Sequence, residues 1–199
     1  MFLAMAFLAL PATAESAPLY ELPELPPVSA PVPVLAEGPS KISWTFAELN
    51  YKWVDVDALD DSIDGVELKG SLEILLNIFL QASYATLSGD VDVDETRIGA
   101  GWHFGVGDTL DLFGILSYAY EDPDGGDSED GVRGEAGARF LLGEKIELNG
   151  EAIWQNIDES DYGIGVGGRF YLTPKISLGL GAEILDNDET YTAGARFQF

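Results

Sequence analysis

Residues 66–76 read VELKGSLEILL, and their alternation decides the fold. Val66, Leu68, Gly70, Leu72, Ile74 and Leu76 share one side of an extended chain, while Glu67, Lys69, Ser71 and Glu73 share the other. Successive side chains of a strand point to opposite faces, so this stretch is a strand with an apolar face and a face carrying charges of both signs. The pattern returns in TRIGAGWHF at 96–104, IELNGEAIW at 146–154 and ISLGLGAEI at 176–184. From Ile42 onward, period-two alternation with glycine and acidic punctuation replaces any helical period.

Ten strands are predicted, at 42–54, 65–76, 78–88, 95–105, 110–121, 131–142, 146–156, 161–172, 175–185 and 189–199. Their length, roughly 9–12 residues, is that of tilted membrane strands. The connections alternate in kind. Short ones fall around Asn77 and at 105–109, 143–145 and 173–175. Acidic ones fall at 55–64, 90–95, 121–130, 158–161 and 186–189, and hold 21 of the 35 acidic residues with no Lys or Arg. Alternate turns of an up-and-down meander go to opposite ends, so one end carries nearly all the loop charge. EAGARF at 135–140, GVGGRF at 165–170 and TAGARF at 192–197 repeat once per hairpin, as a meander requires.

The rest of the composition narrows the class. A chain of 199 residues suits one folded domain, and with no cysteine neither a disulfide nor a thiolate metal site can hold it. The net charge of −25 excludes nucleic acid as a partner, because phosphate binding needs surplus Lys and Arg. At 46% hydrophobic, the chain is not a disordered acidic one. Residues 1–14 read as a signal peptide: the apolar run MFLAMAFLAL is followed by Ala12-Thr13-Ala14, an A-x-A-like cleavage site. Residues 15–40 read as a proline-rich acidic periplasmic tail, with seven prolines between 17 and 39 that favour polyproline II over strand pairing. Residues 41–199 are the barrel.

Which face is inside follows from the arginines. Arg97, Arg133, Arg139, Arg169 and Arg196 all fall on the polar face of an even-numbered strand. Glu48, Glu67, Glu73, Glu135, Glu147, Glu151 and Glu183 fall on the same face, largely of neighbouring strands, with Lys52 and Lys69 beside them. Arg169 is flanked by Glu147 and Glu151 on one side and Glu183 on the other, and Arg196 meets Glu48 if the sheet closes. A lumen filled with such ion pairs, with apolar residues outside, is the inversion a membrane barrel requires. A soluble barrel would place the apolar face inside. Against that stand the export signal and aromatic residues near both strand ends: Trp102, Phe104, Phe140, Phe170, Phe197 and Phe199 at one, Tyr84, Tyr118, Tyr120, Trp154, Tyr162 and Tyr191 toward the other. The fold expected is therefore all-β, an up-and-down antiparallel transmembrane β-barrel of ten strands, with eight as the alternative count. Trp44 and Phe46 share a face with Glu48 and Asn50, which calls for a bulge or an aromatic layer at the barrel floor.

The segments DGVELKGSL, RIGAGWHF, DGVRGEAGARF, DYGIGVGGRFYLTP and ETYTAGARFQF resemble the small OmpA-like and opacity-type outer-membrane barrels. Within these the chain is most similar to a ten-stranded family of xanthomonads and related proteobacteria. The resemblance spans about residues 42–199. It implies a porin-like barrel in the outer membrane of a Gram-negative bacterium, with no agreed activity. The last strand, with Tyr191, Phe197 and Phe199, resembles the C-terminal signal read by the outer-membrane assembly machinery.

Two functions fit. One is a structural or surface-interaction barrel, a monomer whose ion-paired lumen is plugged and whose acidic rim faces the outer leaflet and its lipopolysaccharide. The other is a narrow cation-preferring pore. Asp60, Asp61, Asp90, Asp92, Asp94, Asp122, Asp124 and Asp127 are candidate Ca²⁺ or Mg²⁺ ligands at the rim. DPDGGDSED lacks EF-hand spacing, since Asp127 stands where that loop requires glycine. No resident cofactor is expected. No catalytic set emerges either, because the one histidine, His103, is read as lumenal and far from the acidic rim.

Overall fold

The computed structural model describes residues 41–56, 61–89, 91–157, 160–186 and 188–199. The expected signal peptide and proline-rich tail, Asp60 and Asp90 lie outside the described residues. Ten strands close into one antiparallel barrel, each pairing with its sequence neighbours and the first with the last. They are β1 (Phe46–Val56), β2 (Asp61–Leu75), β3 (Ile78–Ser88), β4 (Val93–Val106), β5 (Leu110–Pro123), β6 (Glu129–Leu142), β7 (Ile146–Asn156), β8 (Ser160–Tyr171), β9 (Ile176–Leu185) and β10 (Asp188–Gln198). Closure leaves no sheet edge, which is the condition for strands in lipid, where an unpaired N–H or C=O finds no water.

The apolar faces point outward. Leu49, Leu68, Leu116, Ile164 and Leu180 are all well exposed along the wall, while Arg133 on the inner side is 1% exposed. Three of the short turns use residues in the left-handed region, Asn77, Gly107 and Gly143, at φ of 68°, 67° and 69°. Asparagine and glycine tolerate that conformation, which lets the chain reverse tightly at these three turns.

Strand boundaries differ from the sequence reading at both ends of the barrel. Strand β1 begins at Phe46, not residue 42, because Ile42 and Trp44 turn into the barrel mouth and are buried there. At the acidic end the strands run longer than expected: Asp94 and Asp122 are not loop residues but facing partners on β4 and β5. The irregularity in the wall lies in β2, between Glu73 and Leu75, and not in β1.

Candidate functional site

Every strand sends alternate residues into the lumen, and they sort into layers. The lowest, at the short-turn end, is the expected aromatic floor. Trp44 stacks on Phe79 at 4.4 Å between centroids and on His103 at 5.1 Å, and tilts against Phe113 at 5.4 Å. Its indole Nε1–H donates to Asp111 at 2.8 Å, and the Arg139 guanidinium lies 4.5 Å over its ring. Trp44 thus leaves β1 and reaches the inner sides of β3, β4, β5 and β6, the opposite part of the wall. Arg139 is fixed in turn by Glu147 at 2.9 and 3.1 Å, and Glu147 accepts from the Tyr171 hydroxyl at 2.6 Å.

Above the floor, ion pairs span the lumen as chords. Arg169 on β8 donates to Glu48 on β1 at 2.9 Å, and Arg196 on β10 donates to the other oxygen of the same carboxylate at 2.6 Å. Lys52 on β1 reaches Glu95 on β4 at 2.6 and 2.7 Å. Arg133 on β6 holds Glu183 on β9 through two bonds of 2.8 and 2.7 Å, and Glu135 on its own strand at 2.6 Å. Ten strands enclose a lumen narrow enough for one arginine to bridge strands three apart. Such pairs are charge-assisted and, out of bulk water, hold only when both partners are present.

The predicted lumen residues are therefore brought together, with adjustments. Arg196 meets Glu48 as closure required, yet Arg169 passes over its flanking strands to reach Glu48 rather than Glu147, Glu151 or Glu183. Arg97 lies 3.4 Å from Glu95, and Glu67 accepts from Asn50 at 2.8 Å. Lys69 and Glu151 line the cavity beside these pairs. Glu73 lies at the short-turn rim, opposite inward Phe79 and more exposed than the other lumen glutamates, 3.5 Å from the buried His103 Nε2. The lumen set read from sequence omits Glu95, which falls at the junction of an acidic connection and a strand, and Asp111, although each lies in phase with an inward neighbour, Arg97 and Phe113. The sequence reading also missed that the inner side of β3 and β5 is largely apolar, with Phe79, Ala85, Leu87, Phe113, Ile115 and Ala119 all buried.

A cavity of about 190 Å³ remains between the chords. It runs from Trp44 and Phe46 at the floor past Glu48, Asn50 and Lys52 to Thr190. Glycines leave one wall bare: Gly179 lies flat against the Arg169 guanidinium, and a Cβ there would meet its Cζ at 3.1 Å.

At the acidic rim, Asp92, Asp94, Asp122, Asp124 and Asp127 are exposed, and the Asp124 N–H donates to the Asp92 carbonyl at 2.8 Å. Asp61 opens β2. Among the described residues no three carboxylate, His or Cys groups converge as a metal-holding set. On the outer wall Tyr51 donates to Asp64 and Tyr191 to Glu189, each at 2.6 Å. Phe197 and Phe199 are exposed and meet edge to face at 5.1 Å.

A family model described as outer membrane protein beta-barrel domain matches residues 25–153. Among solved structures the NanC porin aligns with a TM-score of 0.56 at 9% identity, over 77% of this chain and 100% of that one. The KdgM porin in complex with disordered oligogalacturonate aligns at 0.49 and 10% identity, over 76% and 99%. Ail, the attachment invasion locus protein of Yersinia pestis, aligns at 0.37 and 18% identity, over 78% and 97%. At 9% identity the NanC likeness is one of fold alone. No curated protein matches the sequence.

Proposed function

Because the chain belongs to the outer membrane protein β-barrel family, seated in the outer membrane of a Gram-negative bacterium, we propose that it serves there as a closed barrel with a structural or surface-interaction role. The observation that carries this reading is Arg133, 1% exposed, tying β6 to β9 across the lumen through a two-bond pair with Glu183. With Lys52–Glu95 and Arg169–Glu48 it cross-braces the wall and narrows the lumen to the cavity left between the chords, which the aromatic floor closes at the short-turn end. Function then moves to the acidic rim. A divalent cation there would bridge a rim carboxylate to a phosphate of the lipopolysaccharide, since such cations favour oxygen ligands of both kinds.

A narrow cation-preferring channel is the second reading, favoured by the cavity and its carboxylates. Conductance of the refolded wild-type protein in planar bilayers separates the two, with folding checked by gel mobility before and after heating. A folded, silent wild type is expected. Discrete cation-selective steps would overturn the closed-barrel reading in favour of the channel.

A further inference from the structure

The floor is made by a piece of chain that is not part of the wall. Ladder pairing of β1 with both neighbours starts at Phe46, opposite Gln198 and Ser71. Thr45 still touches the wall through its carbonyl, which accepts from the Phe199 N–H at 3.3 Å. Residues 41–44 do not share in the ladder. They cross the mouth toward the β4–β5 turn, where Lys41 faces Asp108 at 3.6 Å. Side chains hold them there: the Ser71 hydroxyl donates to the Trp44 carbonyl at 2.6 Å, Arg139 donates to the Ser43 carbonyl at 3.2 Å, and Asp111 takes the indole N–H.

We infer that residues 42–44 are a displaceable stopper: Trp44 gates the lumen from the short-turn side, and can leave without breaking one strand pair. This rests on the closed-lumen reading and names its gate. Three observations make the case. Trp44 is 3% exposed, so it fills the mouth rather than lying on it. The cavity ends on Trp44 and Phe46, so the indole stands between a polar lumen and the short-turn side. The partners of the indole are a mixture of rings and charges, Phe79, Phe113, His103, Asp111 and Arg139, which remain lining groups when it departs. A gate built from the wall itself would need a strand to unpair; a strap held by side-chain hydrogen bonds, charge contacts and stacking opens at lower cost, because no ladder is lost.

The test is single-channel recording of Trp44→Ala, Arg133→Ala and the double substitution Ser71→Ala/Asp111→Leu, each as the full chain refolded and checked by heat-dependent gel mobility. The double substitution removes the Ser71 donor and the Asp111 acceptor while keeping side-chain shape close to native, and decides the matter where Trp44→Ala fails to fold. Expected are persistent steps in Trp44→Ala, brief openings at least tenfold more frequent than wild type in the double variant, and silence in Arg133→Ala. Folded but silent Trp44→Ala and double variants, or conduction appearing with Arg133→Ala alone, would overturn the stopper and leave the closed barrel standing. Steps already present in wild type would instead defeat the closed barrel.

Discussion

Glu48 neutralises two guanidinium groups at once, with Arg169 on one oxygen and Arg196 on the other, and Arg196 in turn lies 3.7 Å over the ring of Phe46. Removing one partner of a buried ionic set costs about 3–5 kcal/mol, because the remaining charges stay buried. Glu48→Gln should therefore lower the unfolding free energy of the barrel in lipid vesicles by that amount, read from its urea titration. Glu67→Gln, where the carboxylate meets the neutral Asn50, should cost no more than about 1.5 kcal/mol. Equal losses in the two variants would mean that the lumen pairs are loosely hydrated and not structural. The Glu48–Arg196 contact was legible from sequence because both are inward residues of strands that closure makes adjacent. The Arg169–Glu48 chord was not, because strand order says nothing of how far a long side chain reaches across a narrow lumen.

Strands were read most securely where their two faces differ in chemistry. β7 and β9 alternate cleanly, and their ends fall within a residue of expectation. On β3 and β5 both faces are apolar over much of their length, so alternation marks a strand but hides that Phe79 and Phe113 point inward. At the other end, runs of aspartate read as loop by composition, yet Asp94 and Asp122 pair in the ladder, because a strand leaving the bilayer can carry charge on its outer side. Leu68 tests the assignment of faces at mid-strand. It is 60% exposed on β2 and directed at lipid. Leu68→Arg should cost roughly 2–4 kcal/mol in a bilayer, the range for arginine near the midplane of a barrel wall. A neutral outcome in the urea midpoint would place that face in water.

At the scale of the whole barrel the two ends differ, with short turns at one and nearly all the loop carboxylates at the other. In the outer membrane the acidic end should face outward. Since the chain has no cysteine, single substitutions report without background. A membrane-impermeant maleimide on whole cells should label Asp124→Cys and spare Glu144→Cys, both exposed positions on opposite ends; the reverse would invert the protein. Closure has a further consequence in time. Nine of the ten strand pairings join sequence neighbours, while β1 and β10 bring together residues such as Glu48 and Arg196, 148 positions apart. Hairpins zip locally and fast; the long-range seam must wait. Until it forms, the sheet carries two sticky edges, and Glu48 lacks the Arg196 and Arg169 contacts made across the seam. Closing the seam therefore satisfies the last backbone edges and brings Glu48 to both guanidinium groups in the same step.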